Sequence, residues 1–404
     1  MAPCGSRQDG IQNHMTHVRF MLMVVGTAFI FSGSLPAKTW KTSLGRTFEA
    51  EFERIDGRAA IFILPDGKRF SMPVADLSRE ERDFLNLNGQ SAMSELVAAS
   101  FGGPWPVQVR IAGPVTCKVV KEDSKTGVYI YQSPSYRFIC DARITEDALR
   151  NFSVMFETTR KYARELPLSM GGAAGPGEHR RDIVLFSTMQ GYVAAGGMPG
   201  SAGMYVQQKG LVLVPMESLG LKLVGTGFSI DQGITHKTLI HELTHQLTPH
   251  VYFAPGARGW FSEGIAEYVA ITPYSWGYFQ PDVRGNAVKA RVTGRGIDNE
   301  GGYALGSKIT VPPLKSFFLM PYDGFAGKNA MLNYGFSLLL VNFFFHMDGG
   351  GKTRRINDFL LGLHAGKQGE EALKPLLAGG SYQKLEQEFS AAWAKMGVEI
   401  QFDR

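Results

Sequence analysis

Short runs of alternating apolar and polar residues follow Trp40, and each run is long enough for one strand. The pairs Asp56-Gly57 and Asp66-Gly67 separate these runs. An Asp-Gly pair between two alternating runs is typical of a β-hairpin. The pattern therefore predicts a small all-β domain over residues 38–90, with strands near residues 47–54, 59–64 and 69–73.

The rest of the chain mixes strand patterns with helix patterns. Residues 91–106 end in a glycine- and proline-rich stretch and are predicted to be a linker. A helix is expected to start near Thr145, because apolar residues recur after it at helical spacing. Amphipathic helices are expected over residues 356–364 and 382–396. The predicted fold class is α+β, with the main domain over residues 107–404.

Two apolar segments raise the question of a membrane. Residues 20–31 follow Arg19 and precede small residues up to Ala37, as in a signal peptide, which favours export to the periplasm or the medium. A membrane anchor is the alternative, although the run is shorter than the roughly 20 residues of a span. Residues 332–347 contain embedded polar side chains and are predicted to form a buried helix. We expect no stable membrane span once residues 1–37 are removed.

The sequence His241-Glu242-Leu243-Thr244-His245 is an HExxH motif. Two histidines four positions apart share one face of a helix, so both imidazoles can reach the same metal ion. Glu242 lies beside them and is expected to act as the general base on water activated by zinc. The alternative is a solvated helix that carries these residues by chance.

A pair of glutamates after the motif can supply the third protein ligand that the HExxH motif lacks. Seventeen residues, 246–262, separate His245 from Glu263, which leaves room for a loop and a second helix. Glu263 and Glu267 are four positions apart and share a helix face. The nearer carboxylate is expected to complete the zinc ligands, and the farther one to accept the spare N–H of a ligand histidine.

At these residues the chain resembles the gluzincin branch of zinc metallopeptidases, whose pattern is HExxH followed by a ligand glutamate one helix later. Trp260-Phe261-Ser262-Glu263-Gly264 is similar to a phrase of the aminopeptidase-type members, although their spacer is one residue longer. The resemblance implies a zincin-like fold, zinc ligands His241, His245 and Glu263, and a supporting role for Glu267, as in thermolysin-type members. Exported bacterial proteins that end in a peptidase-like domain are also similar.

The same resemblance indicates two further features. Gluzincins commonly use a tyrosine or histidine of a later helix to stabilise the oxyanion, and Tyr334 is the candidate here. A packed core tyrosine is the alternative. Gluzincins also align the substrate on an edge strand before the HExxH helix, which residues 203–205 could form. An ordinary surface hairpin is the alternative for these residues.

The N-terminal segment resembles a small Src-homology-3-like (SH3-like) barrel that is often found in exported bacterial proteins. Trp40, Gly45, the strand at residues 49–52 and the sequence Asp66-Gly67-Lys68 carry this resemblance. Such barrels bind peptides or cell-envelope material, so a cell-envelope ligand is one expected partner. A spacer module without a ligand is the alternative.

Cysteine content and net charge bear on two further questions, whether the protein contains a disulfide and whether it binds nucleic acid. Cys117 and Cys140 form an even pair in an exported protein, and either a disulfide or two buried thiols is expected. The net charge of +5 is mild and spread along the chain, so nucleic-acid binding is not expected. The sequence predicts an exported zinc metallopeptidase that hydrolyses peptide or protein substrates. The alternative is a zinc-containing envelope protein without catalytic activity.

Overall fold

The computed structural model describes residues 38–42, 45–56, 59–73, 76–78, 80–81, 101–171, 180–207, 209–225, 227–230, 237–281, 284–294 and 302–403. The chain divides into two compact units, residues 1–81 and residues 82–404. The predicted signal peptide over residues 1–37 lies outside the described residues, as does most of the predicted linker.

The first unit is an antiparallel sheet of sequential strands in the order β1-β2-β3-β4. Trp40, Phe52 and Phe62 are buried in it, and the Trp40 indole N–H donates to the carbonyl of Ala50 at 2.9 Å. Its strands are β1 Lys38–Lys41, β2 Thr47–Asp56, β3 Ala59–Ile63 and β4 Arg69–Pro73.

This sheet is open among the described residues, so the closed barrel expected from the sequence is not present there. β1 and β4 are the two edges, and they do not pair with each other. Beyond β1 the chain forms an isolated bridge between Thr42 and Leu77. The three predicted hairpin strands are confirmed as β2, β3 and β4.

The second unit contains a mixed sheet with the order β10-β11-β9-β8-β7-β6. Its middle strands β11, β9 and β8 are parallel, and its outer neighbours are antiparallel. The strands of this unit are β5 Val109–Arg110, β6 Lys118–Asp123, β7 Val128–Gln132, β8 Tyr136–Cys140, β9 Arg181–Phe186, β10 Met204–Val206, β11 Leu211–Pro215, β12 Leu221–Val224, β13 Gly227–Ile230, β14 Tyr274–Ser275, β15 Tyr278–Phe279, β16 Lys308–Val311 and β17 Glu399–Phe402.

Helices make up most of the remainder, and the described fold is mixed α+β, as predicted. Thr145 caps the first helix by accepting from the backbone N–H of Ala148, which confirms the predicted start. The helices are α1 Glu146–Glu165, α2 Met189–Ala194, α3 Lys237–Leu247, α4 Trp260–Ala270, α5 Arg284–Thr293, α6 Leu314–Phe318, α7 Tyr322–Phe325, α8 Ala330–Asn342, α9 Arg354–His364, α10 Gly369–Leu377 and α11 Tyr382–Lys395.

α4 lies at the centre of this unit, and every residue from Trp260 to Ala270 is buried. It packs against α3 on one side and α8 on the other. Gly264 allows the second contact: a Cβ there would lie 2.6 Å from Val341 Cγ2 and 2.7 Å from the carbonyl oxygen of Ser337. A residue without a side chain is therefore needed where these two helices cross.

The apolar segment near residue 340 is a core helix. α8 continues into a π-helical turn, Phe343–Met347. Among the described residues, the stretch Ala330–Gly350 alone is long and apolar enough to cross a membrane, but 67% of its apolar window is buried inside the protein. The predicted buried helix is confirmed.

The disulfide considered for Cys117 and Cys140 is not formed, because both thiols are free. Cys140 pairs with Tyr129 across β7 and β8, whereas Lys118, which follows Cys117, pairs with Gln132. The two cysteines are therefore separated by about four residues along β7, or about 13 Å, and by two strand spacings. A disulfide needs Cα atoms within about 7 Å, so two separate thiols are the correct interpretation.

Candidate metal centre

α3 places the two motif histidines on one buried face. The exposed fractions of His241 and His245 are 8% and 6%. Gln246, next along the helix, donates to the carbonyls of Asp182 and Gly210 at 3.1 and 3.0 Å. Because Asp182 belongs to β9 and Gly210 lies in the β10–β11 turn, the helix that carries the histidines is fixed to the main sheet.

The chain reverses between α3 and α4 in the segment that the sequence marks with proline and glycine. Pro249 precedes a short helical turn, His250–Phe253. Gly259 has a φ of +88°, which favours glycine, and its N–H donates to the Ser262 hydroxyl at 3.0 Å. α4 then begins at Trp260, and Glu263 lies in its first turn, facing α3.

Three ligand atoms converge between these helices. His241 Nε2 and His245 Nε2 are 3.0 Å apart, and Glu263 Oε2 lies 3.2 Å from the first and 3.1 Å from the second. A tetrahedral zinc site with bonds of about 2.1 Å separates its ligand atoms by roughly 3.4 Å. The described residues contain this buried group, which could hold a metal ion, and its spacing fits one.

The electrostatics of the centre favour a cation. Burial alone would raise the pKa of the Glu263 carboxyl, but attraction to His245 and hydrogen bonds to both histidines hold it below its usual range. Burial would likewise lower the pKa of His241, but hydrogen bonds to Glu263 and Glu267 raise it well above its usual value. Positive charge is stabilised here by buried carboxylates, as a metal site requires.

Glu267 fixes the orientation of one histidine. Its Oε1 lies 3.0 Å from His241 Nδ1, and its Oε2 accepts from Arg291 Nε at 3.2 Å. Burial opposes ionisation, yet the contacts with His241 and Arg291 lower the pKa of Glu267 to about 2. An ionised Glu267 accepts the proton of Nδ1, so Nε2 is the nitrogen that His241 turns towards the ligand group.

His245 is supported differently. Among the described residues its Nδ1 is buried and has no hydrogen-bond partner. Its ring is instead packed between Tyr205, with ring centroids 6.4 Å apart, and Phe253, with centroids 6.0 Å apart. Ring packing therefore holds the second histidine, while a carboxylate holds the first.

Glu242 lies next to the ligands and contacts β10. The backbone N–H of Tyr205 donates to Glu242 Oε2 at 2.8 Å. β10 is an edge strand of the main sheet and packs against α3. The edge strand expected near residues 203–205 is thus present, beside the candidate general base.

Two tyrosines face the centre from the other side. The Tyr334 ring lies 6.1 Å from the His241 ring, and the Tyr322 hydroxyl donates to Glu263 Oε1 at 3.1 Å. Burial raises the pKa of both hydroxyls, so both are neutral donors near pH 7. Tyr334 was a sequence candidate, whereas Tyr322 and Arg291 were missed because no local motif marks either residue.

A cavity of about 300 Å³ adjoins the ligand group. His241, Glu242 and Tyr334 form the wall it shares with the centre. Its other walls come from the end of α4, from α5 and from the start of α8. The cavity provides space for a ligand directly beside Glu242.

The structure brings together every residue that the sequence placed at the site: His241, Glu242, His245, Glu263, Glu267 and Tyr334. Fold and site define a mixed α+β chain with a buried His-His-Glu group that could hold a metal ion. No protein-family model matches the chain, and a comparison with curated proteins found no significant match.

Proposed function

We propose that the protein is a zinc-dependent peptidase of the zincin type, with residues 107–404 as its metallopeptidase domain. The observation that carries this proposal is the convergence of His241, His245 and Glu263 to within 3.2 Å of one another. Glu242 projects from the same helix beside them. This arrangement supports metal-assisted hydrolysis as the reaction.

The donor set supports zinc as the ion. Two imidazoles and one carboxylate are a known ligand set of catalytic zinc, with a fourth position open to water or substrate. Glu267 and Arg291 support this set by fixing the tautomer of His241. Tyr322 engages one oxygen of Glu263 and leaves the other in the ligand group.

Zinc bound here would supply a Lewis acid that lowers the pKa of water to about 7 and polarises the substrate carbonyl. Glu242 accepts the proton of the attacking water and returns it to the leaving amine. Tyr334 is the proposed donor to the developing oxyanion, since its hydroxyl is neutral and its ring lies beside His241.

The free edge of β10 is the proposed position for the substrate backbone. An extended peptide can bind along an exposed edge strand through main-chain hydrogen bonds; on β10 the outward acceptor would be the Tyr205 carbonyl, because the Tyr205 N–H donates to Glu242. β10 contacts α3, so a peptide bound along this strand would pass close to Glu242. A peptide or protein is therefore the proposed substrate class.

We further propose that residues 1–37 are a signal peptide and that the protein acts in the periplasm or the medium. Residues 38–90 are the proposed SH3-like module, with cell-envelope material as its candidate ligand. The sequential antiparallel strands around Trp40 support this assignment. Cosedimentation of the mature chain with cell-wall fractions tests it, and lack of binding counts against an envelope ligand.

Metal analysis and peptide cleavage together test the main proposal. Residues 38–404 should contain one zinc per chain, and Glu263→Ala should lose or weaken it, whereas the exposed control Glu399→Ala should not. Cleavage of a mixed peptide library should fall by about 10²–10⁴-fold in Glu242→Gln. Zinc without cleavage would favour a non-catalytic envelope protein. Absence of zinc under metal-replete conditions would overturn the assignment.

A further inference from the structure

Tyr205 contacts both the candidate general base Glu242 and the candidate ligand His245. Its backbone N–H donates to Glu242 Oε2, and its ring stacks on the His245 ring at an interplanar angle of 24°. β10 pairs with β11 on one side only, with Tyr205 opposite Val212. Because the Tyr205 N–H bonds to Glu242, it points away from β11 and towards the free edge.

Gly203, two residues before Tyr205, also lies next to Glu242. A Cβ at Gly203 would lie 3.5 Å from Glu242 Cγ and 3.3 Å from the carbonyl oxygen of Leu213. The distance to Glu242 is ordinary van der Waals contact and the distance to Leu213 is tight, so Gly203 lies beside the glutamate stem and against the backbone of β11. The chain therefore lies beside Glu242 at Gly203 and again at Tyr205.

We propose that the backbone amide of Tyr205 positions the general base by holding Glu242 Oε2, so that Oε1 is the oxygen that accepts and returns protons. A hydrogen bond to an ionised carboxylate is stronger than one between neutral groups. It fixes the carboxylate plane of a side chain that otherwise rotates about several bonds. The catalytic meaning rests on the proposed function, whereas the hydrogen bond itself does not.

Amide hydrogen exchange tests the hydrogen bond without any need for activity. In full-length protein labelled with ¹⁵N-tyrosine, an outward-facing edge amide should exchange slowly only while Glu242 accepts from it. Glu242→Ala should raise the exchange rate of the Tyr205 amide by about tenfold or more. Glu242→Gln keeps an acceptor oxygen and should stay near the parent rate.

The amide of Tyr131, in the interior strand β7, is the control in the same spectra. Its exchange should stay unchanged in both variants, which shows that the sheet remains folded. An unchanged rate at Tyr205 in Glu242→Ala would overturn the proposal.

Kinetics then separate positioning of Glu242 from binding of substrate by the same amide. Tyr205→Ala removes the ring and keeps the N–H, whereas Tyr205→Pro removes both. Proline is tolerated on an edge strand where the N–H faces outward. We expect kcat of the proline variant to be about tenfold below that of the alanine variant, with similar KM and equal zinc content.

A higher KM with unchanged kcat would mean that the amide binds substrate, and the positioning role would be wrong. If the parent protein cleaves no peptide, the proposed function fails. The exchange experiment still decides whether Tyr205 holds Glu242.

Discussion

The two faces of the buried helix α4 are built on opposite principles. Towards α3 it presents Glu263 and Glu267, two buried carboxylates held by histidines, an arginine and a tyrosine. Towards α8 it presents Gly264 against the Val341 side chain and the Ser337 backbone. One face is polar with directed hydrogen bonds, and the other depends on close packing.

The face packed against α8 holds the helix in place, whereas the face towards α3 carries the polar groups of the candidate metal centre. Burying carboxylates costs free energy unless each is paired, so the polar face stabilises the fold little by itself. The face that packs closely against α8 therefore holds α4 in place. Substitutions on the two faces should therefore change different measured quantities.

The largest expected effect is on the packed face. Gly264→Ala places a Cβ within 2.7 Å of backbone and side chain of α8, so the two helices must move apart. Overpacking of this kind costs roughly 1–3 kcal/mol. We expect the free energy of unfolding, measured with denaturant, to fall by about 3 kcal/mol.

Gly362→Ala is the matched control, because its nearest neighbour outside its own helix backbone would be Lys367 Cδ at an ordinary 3.5 Å. Alanine is favoured over glycine in a helix by about 1 kcal/mol, so this variant should be as stable as the parent or more so. Equal losses in both variants would contradict the close-packing interpretation of Gly264.

An intermediate effect is expected at Glu267. Removing a residue that supports a ligand typically lowers metal affinity by about 10–100-fold. Glu267→Ala should lower zinc affinity by about 100-fold. Glu267→Gln should lower it by only about tenfold, because the amide oxygen can still accept from His241 Nδ1. Competition with a zinc chelator measures both, with the exposed Glu370→Gln as control. If Glu267→Ala bound zinc as tightly as the parent, Glu267 would have no role in supporting the metal ligands.

The smallest effect is expected at Tyr322. Tyr322→Phe deletes one hydrogen bond to Glu263 and keeps the ring, so zinc affinity should fall by about tenfold or less. The same chelator competition measures it. A loss as large as that of Glu263→Ala would mean that Tyr322 is needed to form the ligand group.

The sequence predicted the parts of the site that are local along the chain. The four-residue spacing of His241 and His245, and of Glu263 and Glu267, requires only that each segment is a helix. The seventeen residues between His245 and Glu263 leave room for the turn between the two helices. Patterns along the chain also located α1 and the buried α8, whereas the edge strand near residues 203–205 was expected only from the resemblance to gluzincins.

What the sequence missed depends on contacts between distant segments. Tyr322 reaches Glu263 across 59 positions and Arg291 reaches Glu267 across 24, and neither lies in a recognisable motif. Strand register separated Cys117 from Cys140, which spacing along the chain cannot reveal. The open sheet of the first unit likewise depends on which edges pair, and alternation along each strand does not specify that.

The turn between the two ligand helices has a consequence for protein engineering. Tyr252, within it, is fully buried and donates to the carbonyl of Leu168, and the Gly369 N–H donates to the carbonyl of Pro255 at 2.7 Å. A Cβ on Gly256 would lie 2.9 Å from the Gly369 oxygen. This connection is therefore a poor place for an epitope tag or a reporter insertion, whereas the exposed Asp66-Gly67 hairpin offers a permissive one.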